Sequence, residues 1–160
     1  MNGIEYVLGE ACKILLPIPE EVYRGSDGSP VAVCTLSSIS LLKEIASSET
    51  LGRVAIAGRL LSENRGIDAL IRFVVSSPNV RTVVVCGREV RGHRAGHSLL
   101  ALYRNGADGA GRIVGSSSPD PVLQTPHAEI ERFRRQVTIV DRIGQTDRAE
   151  IDRLVRSMTQ

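Results

Sequence analysis

The sequence predicts an α/β domain built around a mostly parallel sheet of about five strands. Short β-branched runs alternate with amphipathic helical segments along the 160 residues, and the central runs are apolar throughout. Strands that are covered by helices on both faces of a parallel sheet have this continuous apolar pattern. Strict alternation of strand and helix favours right-handed parallel connections. The predicted fold is therefore a Rossmann-like, three-layer domain.

Five runs have the β-branched composition expected of strands. They are residues 31–35, 54–57, 82–86, 112–115 and 137–140. The runs at 54–57 and 82–86 contain no charged residue, so we expect them in the middle of the sheet. The run at 112–115 is short and is the weakest of the five in composition.

Helical periodicity fills the intervals between these runs. Residues 62–76 place apolar side chains three and four apart, and Pro78 follows where a helix must stop. Residues 97–104 form the next helix, which ends at Asn105 and Gly106. Thr125 is expected to cap a charged helix that extends to residue 136, and Thr146 to cap the last one.

The chain divides into two parts at residue 30. Residues 1–30 read as an N-terminal helix and linker, with an amphipathic helix at 3–16 docked on the sheet and a glycine-rich loop at 25–30. Residues 31–160 form the predicted Rossmann-like domain. No leader pattern opens the chain and no apolar run approaches the ~18 residues that span a bilayer, so we expect a cytoplasmic protein without an intrinsic membrane anchor.

Charge and cysteine content exclude several classes of protein. The net charge is only +2 and the arginines alternate with acids, which is not the clustered basic face that nucleic acid requires. Cys12, Cys34 and Cys86 are far apart and odd in number, so they indicate neither a disulfide framework nor a zinc knuckle. A reducing compartment fits this usage.

Candidate binding residues follow the ends of the predicted strands, because ligands of open parallel sheets bind outside the carboxyl ends of the strands. The candidates are Gly58, Glu63, Asn64 and Gly66 after the second strand; Cys86, Gly87, Gly92, His93, Gly96 and His97 around the third; and Gly115, Ser116 and Ser117 after the fourth. Simpler interpretations exist for several of them. Glu63 and Asn64 suit a polar helix cap, Cys86 suits a buried strand end, and the serines suit a plain loop.

The glycine-rich loop after the third strand is the most informative segment. Three glycines lie within ten residues of a buried strand, and His93 follows one of them. The spacing matches neither the dinucleotide fingerprint nor the P-loop. His93 and His97 are four apart, which on a helix would put both on one face as a zinc pair, although no third ligand is evident. A general base at His93 is a further alternative, and His127 is expected to be solvated.

Several pieces between residues 31 and about 143 occur in the order of one known family. They are Val31-Ala-Val-Cys-Thr-Leu36, Ala55-Ile-Ala-Gly58, Ser62-Glu-Asn-Arg-Gly-Ile-Asp68, Val84-Val-Cys-Gly-Arg-Glu-Val-Arg-Gly-His-Arg-Ala-Gly96, Gly111-Arg-Ile-Val-Gly115 and Phe133-Arg-Arg-Gln-Val137. Together they resemble the cytosolic domain of the A-subunit of tetrahydromethanopterin S-methyltransferase. The third and fourth pieces resemble its Thr-Glu-Asn-x-Gly-Ile-Glu and Cys-Gly-x-Glu-Val-x-Gly-His-x-x-Gly stretches.

The resemblance implies a Rossmann-like domain that holds a cobamide such as cobalamin, with His93 as the axial cobalt ligand. The implied function is carriage of a methyl group on cobalt between methyltransferase partner proteins, and it assigns no catalytic side chain. Three departures from the family are expected: His97 stands where Gln is usual, the last helix is charged and is not expected to lead into a membrane anchor, and the N-terminus differs. Sodium pumping is therefore not implied. The alternatives are a zinc- or small-molecule-dependent hydrolase using His93 and His97, and a Rossmann-like scaffold without a cofactor.

Overall fold

The central sheet contains five strands in a computed structural model that describes residues 21–160. They are β1 (Val22–Arg24), β2 (Val31–Cys34), β3 (Ile56–Gly58), β4 (Thr82–Gly87) and β5 (Thr138–Ile143). The strand order is β1-β3-β2-β4-β5, in which β1 runs antiparallel to β3 and all other neighbours are parallel. The prediction of a mixed α/β fold with a mostly parallel five-stranded sheet is confirmed. The helix predicted at 3–16 lies outside the described residues.

Five helices of the described residues cover the sheet on both faces. They are α1 (Ile39–Ala46), α2 (Arg65–Ser76), α3 (Ala95–Asn105), α4 (His127–Gln136) and α5 (Arg148–Met158). One buried cluster joins α2, α3 and α4 to strand residues such as Val83 and Val85. A second cluster joins α1 and α5 to Val33 and Val84, which point to the opposite face. This two-sided burial is the reason for the continuous apolar runs in the sequence. No helix among residues 21–160 has the length and apolarity needed to cross a bilayer.

Two strand predictions differ from the structure. The run at 112–115 does not join the sheet and makes only isolated bridges, between Ala107 and Ile113 and between Arg112 and Val122. Ile113 is buried, but Val114 is 46% exposed, whereas a central parallel strand would bury both side chains. The fifth strand is instead β1, which the sequence pattern did not predict. It lies in the segment interpreted as N-terminal helix and linker.

Two predicted helix caps are also replaced by neighbouring residues. Thr125 does not cap α4, because its hydroxyl and its backbone amide both donate to the buried carboxylate of Asp68, at 2.6 and 3.0 Å. Pro126 occupies the cap position instead. Asp147, not Thr146, caps α5 by accepting from the amide of Ala149 at 2.9 Å. In each case the helix exists as predicted, and a tertiary contact or a stronger capping residue moved the boundary.

Candidate functional site

A carboxylate–imidazole pair joins the loops that follow β3 and β4 at the carboxyl edge of the sheet. The His93 Nδ1 and Glu63 Oε2 atoms are 2.8 Å apart. The Glu63 side chain is 2% exposed, whereas the His93 side chain is 57% exposed. A carboxylate accepts hydrogen bonds, so Nδ1 is the donor, and in the neutral form of the ring the lone pair lies on Nε2. The pair therefore holds one imidazole nitrogen and leaves the other for a ligand.

Residues 106–126, the connection between α3 and α4, hold Glu63 and its neighbour Asn64 through hydrogen bonds to Asp120. Glu63 Oε1 accepts the backbone N–H of Asp120 at 3.0 Å. Asn64 Nδ2 donates to the carbonyl and to the carboxylate of Asp120, at 3.1 and 3.2 Å, while its Oδ1 accepts from the amide of Arg65 at the start of α2. Both candidates are thus committed to contacts within the protein. Glu63 orients His93, and Asn64 keeps the supporting loop in place.

The shape of the β4–α3 loop depends on Glu89, which sequence pattern did not single out. Its Oε1 atom accepts the amides of Val90 and Gly96, at 2.8 and 3.0 Å, and its Oε2 atom accepts that of His97 at 2.8 Å. The amides of Gly96 and His97 lie at the start of α3, where they have no acceptor within the helix and where the helix dipole favours a carboxylate. The sequence signal that could have identified Glu89 is an acidic residue shortly before a predicted helix start. Glu89 folds the loop back so that His93 lies at its tip.

Two glycines are required by this loop for different reasons. Gly87 has φ +77°, and a Cβ atom there would lie 2.2 Å from the carbonyl oxygen of Thr35. Gly96 leaves room for the capping carboxylate, because a Cβ atom there would lie 2.9 Å from Glu89 Oε2. Gly92, with φ +78° directly before His93, faces open space. Glycine is therefore needed at Gly87 because of the backbone conformation and at Gly96 because a side chain would collide with Glu89.

The remaining glycine candidates serve close packing around the site. Gly58 ends β3 against Val22, Gly66 lies in the first turn of α2 against Leu60, and Gly115 turns the 106–126 connection next to Asn105. Substituted Cβ atoms at Gly66 and Gly115 would lie 2.9 Å from Leu60 Cδ1 and 2.7 Å from Asn105 Nδ2. At these positions glycine lets neighbouring segments pack closely at the carboxyl edge of the sheet.

His97 does not share a helix face with His93. The helix α3 begins at Ala95, and Arg94 between the two histidines has φ +49°, a left-handed conformation that interrupts the helix. The His97 Nε2 atom accepts the backbone N–H of Ser117 at 3.4 Å. Residues 21–160 contain no group of three or more His, Cys, Asp or Glu side chains that could hold a metal ion. The helical spacing on which the zinc-pair hypothesis depended is therefore absent.

The serines that follow Gly115 attach the 106–126 connection to α3. Ser98 Oγ, which is fully buried, lies 2.6 Å from both Ser116 Oγ and Ser118 Oγ. The Ser117 hydroxyl accepts from the guanidinium of Arg94. Ser116 thus lies next to Ser98, and Ser117 lies next to His97 and Arg94. Their hydroxyls are engaged by the protein itself.

Cys86 lies apart from this group. It is fully buried in the cluster of α1 and α5, on the face of the sheet opposite α2 and α3. Burial raises the pKa of its thiol to about 12, so the group stays protonated at neutral pH. The interpretation as a core residue fits these contacts better than a role in binding.

Cys86→Ser is expected to lower the free energy of unfolding by about 1–3 kcal/mol, because a buried hydroxyl would lack a partner. Urea denaturation of both proteins measures the difference, and Cys86→Ala serves as a control that adds no hydroxyl. A Cys86→Ser protein with unchanged stability would contradict the interpretation of Cys86 as a core residue.

Together these features define an α/β domain that presents a carboxylate-bound histidine on a glycine-containing loop at the carboxyl edge of a parallel sheet. The chain belongs to the family of the tetrahydromethanopterin S-methyltransferase A-subunit, whose family model matches residues 16–160. The resemblance inferred from the ordered sequence pieces is confirmed.

Individual relatives agree with this assignment. The chain is 43% identical over 140 residues to the A-subunit of the putative methyltransferase Mtx from Methanosarcina acetivorans, covering 87% of this chain and 67% of that protein. It is 40% identical over 144 residues to the second A-subunit of tetrahydromethanopterin S-methyltransferase from Methanothermobacter marburgensis, covering 84% and 75%. The Mtx A-subunit from Methanosarcina barkeri is 41% identical over 133 residues, and the chain covers only 64% of its length.

Proposed function

We propose that this protein binds a corrinoid and carries a methyl group on its cobalt between methyltransferase partner proteins, with His93 as the axial ligand. The observation that supports this most directly is the His93–Glu63 pair. A metal-binding histidine commonly donates its second ring N–H to a carboxylate, which fixes the tautomer and makes the free nitrogen a better donor. No hydrogen bond among the described residues engages Nε2 of His93.

The surroundings of His93 fit a large flat cofactor. Gly92 precedes it and faces open space, so no side chain at that position obstructs approach to the loop. The connections from β2 and β4 leave on opposite sides of the sheet, and ligands of Rossmann-like domains bind at such a reversal. We therefore retain the Rossmann-like assignment as part of the proposal. The cofactor-binding residues predicted from the sequence stay a prediction. Cys86 is the least suited of them, because it is buried on the other face of the sheet.

In this proposal the protein positions the cofactor and does not itself react. Bound cobalt would supply the methyl-carrying chemistry. Glu63 accepts a hydrogen bond from Nδ1 of His93, and the backbone amide of Asp120 fixes the orientation of the Glu63 carboxylate. Glu89 keeps the loop folded so that the imidazole faces outward. The methyl donor and the methyl acceptor would be bound by separate proteins, in line with the naming of the relatives as subunits. A cytoplasmic location is part of the same proposal.

Purified protein mixed with hydroxocobalamin is expected to retain the corrinoid through gel filtration, at about one cobalt per chain. The visible absorbance of the corrinoid and elemental analysis of the protein peak measure the yield. Colourless protein, with all corrinoid in the small-molecule fraction, would contradict the proposed function. That result would favour a scaffold domain.

A further inference from the structure

The side-chain amide of Gln136 fastens the end of α4 to the α2–β4 connection, at the edge of the sheet opposite His93. Its Nε2 atom donates to the carbonyls of Val74, Ser77 and Val80, at 2.8, 3.0 and 3.1 Å. Two amide hydrogens are shared among three acceptors, so the side chain has one tightly defined position. The connection that carries Arg81 is thereby held against the last turn of α4.

Three arginines line one surface hollow beside this contact. The hollow is lined by Pro78, Arg81, Arg132, Arg135 and Gln136. Arg132 and Arg135 are three apart on α4 and share its exposed face. Arg81 adds the third cation from the residue preceding β4. Among residues 21–160, no carboxylate lines the hollow, and all three arginines are exposed.

The three arginines also lack partners in the described part of the chain. Arg134, Arg153 and Arg156 each form an ion pair with a neighbouring carboxylate. Within residues 21–160, no such pair involves Arg81, Arg132 or Arg135. Three positive charges along one hollow, with no carboxylate of residues 21–160 lining it, give this surface a positive potential that favours an anion.

Helix dipoles do not explain the arrangement. Cations are favoured near helix C-termini, and both α2 and α4 end beside the hollow. The terminal carbonyls of α2, however, already accept from the neutral Gln136 amide. The last turn of α4 already contains two cations, Arg134 and Arg135, without Arg132. Arg81 and Arg132 need another reason.

We propose that this hollow binds a phosphate-type oxyanion. A tetrahedral dianion offers several oxygens to guanidinium groups that approach from different directions, and arginine suits phosphate better than it suits a spherical anion such as chloride. Free phosphate and the phosphate group of a small ester share this chemistry. The site is independent of the corrinoid proposal, because His93 lies at the other edge of the sheet.

Titration with inorganic phosphate and with glycerol phosphate, at constant ionic strength set with sodium chloride, tests the proposal. Saturable shifts in phosphorus-31 resonances and a rise in Tm are expected. Arg81→Gln, Arg132→Gln and Arg135→Gln should each weaken binding about tenfold or more, since each loses charge-assisted hydrogen bonds. Arg91→Gln makes the same charge change in the β4–α3 loop and should bind as the parent does. Tighter binding of inorganic phosphate would identify a free-phosphate site, and the reverse a phosphoester site.

Circular dichroism checks that each variant is folded. Arg81 lies in a connection and the other two arginines lie on α4, so one unfolded variant leaves the others informative. Equal weakening in Arg91→Gln would show that net charge alone drives binding and would overturn the proposal. Absence of any phosphorus-31 shift would overturn it as well. Loss of corrinoid binding with phosphate binding intact would contradict only the proposed function.

Discussion

His93→Ala is expected to remove the protein-derived nitrogen ligand from a bound corrinoid. The affinity should fall by more than the roughly 10–100-fold seen when only a hydrogen-bond partner of a metal ligand is changed. Electron paramagnetic resonance of the Co(II) form reports the nuclear spin of an axial nitrogen. In protein labelled with nitrogen-15 histidine, the superhyperfine pattern should change from that of nitrogen-14. In the alanine variant the imidazole contribution should disappear.

The two other histidines provide matched controls for this experiment. His97→Ala removes a side chain whose Nε2 atom accepts from Ser117, and His127→Ala removes an exposed residue at the start of α4. Both should keep the imidazole signal. An unchanged pattern in histidine-labelled protein would show that the ligand is not histidine. A signal lost in His97→Ala and kept in His93→Ala would move the ligand to α3.

Glu63→Gln is expected to weaken corrinoid binding by roughly 10–100-fold while the fold is kept. Glutamine has the same shape, but only one of its two terminal atoms accepts hydrogen bonds. The amide of Asp120 needs that oxygen, which would turn the NH₂ group toward His93. Nδ1 would then become the acceptor and the proton would move to Nε2. The imidazole would hold its proton on the nitrogen that the cobalt requires.

The tautomer can be measured without any corrinoid. Nitrogen-15 shifts of the His93 ring should report a protonated Nδ1 in the parent protein and a protonated Nε2 in Glu63→Gln. Glu44→Gln makes the same chemical change at an exposed residue of α1 and should alter neither the tautomer nor the affinity. A parent protein whose His93 is protonated at Nε2 would contradict the role assigned to Glu63.

Local sequence pattern was enough to place most strands and helices and to find the loop that carries His93. Buried parallel strands need continuous apolar runs, amphipathic helices need apolar side chains at every third or fourth position, and tight turns need glycine. Each of these signals is confined to a few neighbouring residues, so it survives without knowledge of the fold. The same locality explains the errors at 112–115 and at β1. A short apolar run can enter a sheet or a loop, and a three-residue antiparallel edge strand has too few residues to show a pattern.

Contacts between distant segments were decided only by the tertiary structure. Glu63 and His93 are thirty residues apart, and their meeting depends on β3 and β4 flanking β2 with their loops at one edge. The four-residue spacing predicts that His93 and His97 could share a helix face. In the structure the left-handed backbone of Arg94 leaves His93 in the loop and His97 in the helix. Arg81 is likewise about fifty residues from Arg132 and Arg135 in the sequence, and the contact of Gln136 with the α2–β4 connection brings it to the same hollow. Strand order and loop geometry determine which side chains meet, and neither is written in the periodicity of a single segment.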